Sequence, residues 1–160
     1  MPHIHQKPGQ HDHTVSAYII RTDFKEPKLM LHRHKLLKKW LQFGGHVELN
    51  ENPWQAICHE IPEETGYGMD QLQILQPHER IKTMRGNIVH PVPLTHFTHR
   101  FDDFDHYHTD TGFVFLTNET PKNKLGAGES AEISCFSLAE LRDLADTVGD
   151  VHEVARIILE

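Results

Sequence analysis

Short apolar runs dominate this chain, and only three stretches carry helical spacing. VSAYIIR (15–21) is rich in β-branched and aromatic residues and predicts a strand. LMLHRH (29–34) predicts a second strand, with TDFKEPK as the turn of a hairpin between them. Trp40 to Phe43 reads as extended chain leading into a glycine pair. LQILQ (72–76), PVPLTHFTHRF (91–101), TGFVFLTN (111–118) and ISCFS (133–137) predict further strands, with the acidic loop Asp102–Asp105 between the second and third of these. SLAELRDLAD and DVHEVARIIL predict amphipathic helices capped by Ser137 and Asp150. Residues 1–13, which hold His3, His5, His11 and His13, read as a flexible His-rich arm or a first edge segment. Mixed strands with few helices, and no repeat or linker, predict one α/β (α+β) domain over 1–160.

The third helical stretch carries the chemistry. Asn52 is a good N-cap, Pro53 suits the first helical position, Gln55 completes a capping box, and Gly66 is a stop signal. On a helical wheel Trp54, Ile57, Cys58, Ile61 and Thr65 share an apolar face, while Glu60, Glu63 and Glu64 gather on the other side. Like charges at that spacing cost about 0.2–0.5 kcal/mol per pair on an exposed helix. A solvated acidic face is the bland explanation. A divalent cation is the sharper one, because it turns the repulsion into coordination, and carboxylate oxygens suit a hard ion such as Mg²⁺ or Mn²⁺. The adjacent Gly44 and Gly45 favour the second reading, since a backbone without side chains lets a carbonyl approach an ion closely.

The run GGHVELNENPWQAICHEIPEETGY resembles the Nudix box, GX5EX7REUXEEXGU. Gly45 stands at its first glycine and Glu51 at its first glutamate, and Glu60, Ile61, Glu63, Glu64, Gly66 and Tyr67 fill the later positions. The resemblance implies a Nudix-type α/β/α sandwich with a mixed sheet. It implies Mg²⁺-dependent hydrolysis of a pyrophosphate bond in a nucleoside diphosphate-linked or nucleoside triphosphate substrate. It further implies Glu60, Glu63 and Glu64 as metal ligands with help from the Gly45 carbonyl, Glu51 as support for the loop, and one glutamate as base. Glu129, ahead of the ISCFS segment, is the choice over Glu132 for a further ligand or base. The subgroups that take ADP-ribose or dinucleoside polyphosphates carry a Pro or Tyr some way past the box; KTMR (82–85) has neither, so the substrate stays open.

Two residues depart from the box. His59 replaces the usual Arg; placed four residues before Glu63, it is expected to bond there and give a working but weaker or more pH-dependent site. Pro62 removes a backbone hydrogen bond inside the helix and predicts a local bend. Together they sustain a second reading, a catalytically weakened nucleotide sensor. The 15 histidines sustain a third, a metal-handling protein. His106 and His108 share a strand face and, with Arg33, are candidates for contacting substrate; Lys35, His96 and His99 lie nearby in sequence. Exposed strand histidines and solvated surface cations are the plain alternatives, and Cys58 reads as core. A net charge of −7 argues against general nucleic-acid binding, and an anionic substrate then needs a bound cation to reverse the local field. With two cysteines, no apolar leader and no membrane-length run, a cytoplasmic protein without membrane contact is expected. Oligomeric state is open, a homodimer included.

Overall fold

The computed structural model describes residues 4–5, 7–101 and 106–160; the predicted acidic loop and His3 lie outside them. In chain order the elements are β1 (His11–Arg21), β2 (Lys28–Arg33), β3 (Trp40–Leu41), α1 (Pro53–Thr65), a 3₁₀ turn (Met69–Gln71), β4 (Gln73–Ile74), β5 (Thr95–Phe101), β6 (His106–Thr117), β7 (Ile133–Phe136), α2 (Leu138–Arg142) and α3 (Gly149–Leu159).

One mixed sheet runs β3-β2-β1-β6-β4, with β5 beside β6 and β7 beside β2. Its spine is the parallel pair β1–β6, in register from His11 opposite Tyr107 to Arg21 opposite Thr117. Side chains alternate across β1 as a pleated strand requires. Val15, Ala17 and Ile19 pack with Ile57 and Ile61 of α1, whereas Tyr18 and Ile20 pack with Leu141, Val151 and Val154 of α2 and α3. Helices therefore cover both faces of the sheet. That explains why β1 reads as a nearly continuous apolar run instead of an alternating one.

Helix α1 begins and ends where the sequence signals it. Asn52 and Gln55 form the reciprocal capping box, and Gly66 closes the helix in the left-handed conformation with φ 74°. The helix runs on through Pro62, whose missing N–H falls in its last turn. Several boundaries differ from the pattern. β1 and β6 begin four and five residues early, because polar residues at their starts pair with each other rather than with water. His11–His13 thus belong to β1 rather than to an arm, and Asp12 has no exposed surface. α2 keeps its Ser137 cap but stops at Arg142, and α3 starts from Val148, with Asp150 inside its first turn and not at the cap.

Ile61 is fully buried between α1 and the sheet. Ile61→Ala is expected to lower stability by about 2–5 kcal/mol, read from the shift of the urea unfolding midpoint.

Candidate active site

The glycine pair sits where it does because the chain after β3 runs against β1. Val15 N–H donates to the Gly45 carbonyl (2.9 Å) and Ala17 N–H to the Phe43 carbonyl (2.8 Å). Gly44 adopts φ 135°, and a Cβ there would lie 1.9 Å from the Val15 carbonyl oxygen, so no other residue fits. The freed Gly44 N–H points at α1 and donates to Glu64 Oε2 at 2.7 Å.

This contact tethers the glycine turn to α1 at one end of an open cavity of about 480 Å³. One wall is acidic: Glu60 and Glu64 from α1 and Glu129 from the loop before β7. Glu60 and Glu64 are only 5% and 8% exposed, so they belong to the packed side of the helix. Glu63 instead is exposed, facing the loop that carries Glu129, where Gly126 N–H donates to the Glu63 carbonyl (2.7 Å). The helical wheel placed all three carboxylates on one polar side; the fold splits them, because the i, i+4 pair borders the cavity and the third residue does not.

Burial pushes the Glu64 carboxyl up to about 8, against the Gly44 N–H bond and reinforced by the charges of Glu60, Glu129 and Glu63. Burial also raises Glu60, opposed by the adjacent His59 ring. No donor among the described residues hydrogen-bonds Glu60 Oε1, although that atom is buried; His59 Nε2 stands 3.5 Å away. An orphaned carboxylate oxygen in a cavity that Gly45 also lines fits a hard divalent cation. The Gly45 carbonyl has one lone pair engaged by Val15, which leaves the other for an ion.

His59 does not reach toward Glu63. Its Nδ1 lies 3.0 Å from Glu51 Oε2 and its Nε2 3.5 Å from Glu60 Oε1, so one ring spans two box carboxylates. Glu51 in turn accepts the Glu48 N–H (2.9 Å) and fastens the loop ahead of the helix.

The remaining walls bring in Lys35, His99 and His108, which the sequence reading named, and His32, His46 and Asp110, which it passed over. His32 lies 3.9 Å from Glu64 Oε1, and burial, helped by His34, pushes its ring down to about 4, so it is neutral. Lys35 reaches the cavity and donates to the Gly128 carbonyl. His46, His99, His108 and Asp110 also line the cavity. Asp110 accepts from Thr14 Oγ1 (2.9 Å) and Ser16 Oγ (3.0 Å), while burial raises its carboxyl. A usable signal for Asp110 was its place two residues after His108, on the same face of β6; His46 offered only its position beside the glycine pair.

Other candidates sit elsewhere. Arg33 is engaged by Glu132 (3.5 Å) and Asp146 (3.6 Å) at the rim of the sheet and does not line the cavity. His106 is buried behind the cavity wall, 3.1 Å from Asp12 Oδ2. His96 bonds Thr111 Oγ1 at 3.1 Å. Cys58 packs against the core cluster under α1. No helix among the described residues is long and apolar enough to cross a membrane.

Comparison with known proteins sets this geometry among relatives. A family model described as NUDIX domain matches residues 12–156. The crystal structure of a hydrolase of the NUDIX family from Clostridium perfringens is 26% identical, covers 92% of this chain and 95% of its own, and superposes with a TM-score of 0.74. An Ap4A hydrolase from C. elegans shares the fold at 17% identity, 93% and 96% coverage and a TM-score of 0.67. A sequence relative from Lactococcus lactis subsp. cremoris, described as a probable DHNTP pyrophosphohydrolase, is 46% identical over 44 residues. That match spans 28% of this chain and about a quarter, 26%, of the relative.

The raised Glu64 carboxyl has a consequence for the metal-free protein. Its folded-state pKa lies above the usual 4.5, so the folded chain keeps a proton that the unfolded chain has lost. Stability from this group is complete below about pH 4.5 and declines as pH rises to about 8, by at most about 1.4 kcal/mol per pH unit. Chemical denaturation of EDTA-treated protein across that range is expected to show the decline, and Glu64→Gln to flatten it.

Proposed function

This chain belongs to the Nudix hydrolase family, and on that premise we propose that it cleaves a pyrophosphate bond of a nucleoside triphosphate or nucleoside diphosphate-linked substrate with Mg²⁺ or Mn²⁺. The observation that carries the proposal is the crowding of Glu60, Glu64 and Glu129 around one cavity beside the Gly44–Gly45 turn. Uncompensated buried carboxylates are costly, and the cost is offset when a cation joins them.

Glu60, Glu64 and the Gly45 carbonyl would hold the ion, and Glu63, exposed just outside the cavity, would join them by turning its side chain inward; such an ion would neutralise phosphoanhydride oxygens and make a bound water more acidic. Glu129, on a loop facing the same cavity, would take the proton from the attacking water. Lys35 would meet phosphate oxygens at the open side. His108 and His99 would contact the remainder of the substrate, with His106 fixing that wall from behind and Arg33 serving the sheet edge. His59 bridges Glu51 and Glu60, the kind of bracing between box carboxylates that the usual Arg would provide, and this favours a working catalyst over a weakened sensor.

Within the triphosphate class, a reduced pterin triphosphate ranks first for trial, because the Lactococcus lactis relative is described as a probable DHNTP pyrophosphohydrolase. The test is a panel of dihydroneopterin triphosphate, nucleoside triphosphates, nucleotide sugars and dinucleotides, scored for phosphate and pyrophosphate release. Turnover is expected only with Mg²⁺ or Mn²⁺ and should vanish with EDTA. Metal-independent turnover, or no turnover on any member, would sink the reading.

Two variants probe the roles. Glu64→Gln is expected to lower kcat by about 10²-fold or more, the scale of removing a proton-transfer or metal-binding group. His59→Ala should lower kcat by about 10- to 100-fold through loss of carboxylate bracing, with His59→Arg restoring most of it. Steady-state kinetics with the preferred panel member reads both.

A further inference from the structure

Apart from the acidic cluster, a second group of metal-type donors borders the same cavity. Asp12 comes from β1, His46 from the loop after the glycine pair, and His108 from β6. The backbone brings them together: Asp12 and His108 are paired across the β1–β6 register, and His46 is bridged to Thr14, two residues along β1. One donor atom from each lies within 4.8 Å of the other two. All three are buried, Asp12 fully and the imidazoles at 9% exposure each.

We propose that Asp12, His46 and His108 form a second cation site, chemically distinct from the glutamate cluster and suited to a divalent transition ion such as Zn²⁺ or Co²⁺. Two imidazoles and one carboxylate are a nitrogen-rich set, which Mg²⁺ disfavours and the later first-row ions prefer. Tetrahedral donors about 2.1 Å from an ion lie about 3.4 Å apart. The His46 Nε2 to Asp12 Oδ2 separation of 3.5 Å already matches that spacing. Bringing a pair as wide as 4.8 Å to that spacing asks for an approach of up to about 1.4 Å, shared between two side chains.

The surroundings also fit. A ligating carboxylate needs outer partners to hold its orientation. Asp12 has them: His5 N–H (2.8 Å) on Oδ1, and Ile4 N–H (3.1 Å) and His106 Nε2 (3.1 Å) at Oδ2. His46 and His108 line the cavity while Asp12 lies behind them, so an ion would enter from the cavity. Three protein ligands leave a fourth position turned toward the substrate space, the arrangement of an open zinc site. The ion would thus give the acidic cavity a second positive wall, placed to receive an anionic or carbonyl oxygen of the substrate.

The test is uptake of Co²⁺ by EDTA-stripped full-length protein in the presence of excess Mg²⁺. The expected result is one equivalent of Co²⁺ with visible ligand-field bands, displaced by Zn²⁺. His46→Ala and His108→Ala should each weaken Zn²⁺ binding by at least about tenfold, the lower end of the loss seen even for outer partners. Glu60→Gln and Glu64→Gln should leave Co²⁺ uptake unchanged, as should a His11→Ala/His13→Ala double variant at exposed strand positions. Circular dichroism of the metal-free variants checks that they fold. If either cavity-histidine variant does not, proton NMR of the Co²⁺-loaded wild type decides, with two hyperfine-shifted exchangeable imidazole signals expected. The proposal is overturned if Mg²⁺ saturation abolishes uptake. It is also overturned if uptake follows Glu60 or the exposed histidines, or if fewer than two imidazole signals appear. Since uptake is read without substrate, these outcomes are independent of whether the protein hydrolyses a pyrophosphate.

Discussion

The hydrogen bond from Gly44 N–H to Glu64 Oε2 joins the three parts on which the acidic wall depends. It couples a turn that only glycine can make to a helix whose carboxylates are too dry to stay charged unaided. The turn is forced by the close pass over the Val15 carbonyl, so β1 fixes the donor. Ile57 and Ile61 fix the acceptor by pressing the other side of α1 into the sheet. Neither element alone aims a carboxylate into the cavity. Their convergence explains why glycines and glutamates must sit at set spacings in the box, and why the intervening loop is itself braced by Glu51.

Much of this was legible before any coordinates. The ends of α1 carry short-range signals, a capping box and a left-handed glycine, whose physics does not depend on the rest of the fold. The carboxylates were legible as a cluster but not in their arrangement. A helical wheel knows the angle of Glu63 relative to Glu60 and Glu64, yet the line between buried and exposed is drawn by neighbours from other elements. Here the glycine turn holds Glu64, Glu60 is buried beside it at the cavity, and Glu63 is left exposed outside.

The polar starts of β1 and β6 were missed for a related reason. HDHT and HYHTDT look like solvent-facing chain, because strand patterns are recognised by apolar content. In the structure their polar side chains satisfy each other: Thr14 and Ser16 donate to Asp110, and Asp12 is ringed by donors. Such pairing across nearly a hundred residues leaves no local trace. The surroundings of Arg33 were hidden for the same kind of reason, since the acids that pair with it, Glu132 and Asp146, come from distant segments.

That long-range pairing bears on how the protein is made. The side-chain hydrogen bonds between β1 and β6 span sequence separations of 94 to 98 residues. Loop closure over such a distance is slow, and topologies dominated by it fold late. A nascent chain leaving the ribosome would therefore carry the complete box sequence well before β6 arrives, with the apolar face of β1 still lacking its parallel neighbour. Biogenesis of this fold passes through an interval in which the box is present but the pocket is not, and that interval, rather than the folded molecule, is where aggregation would threaten.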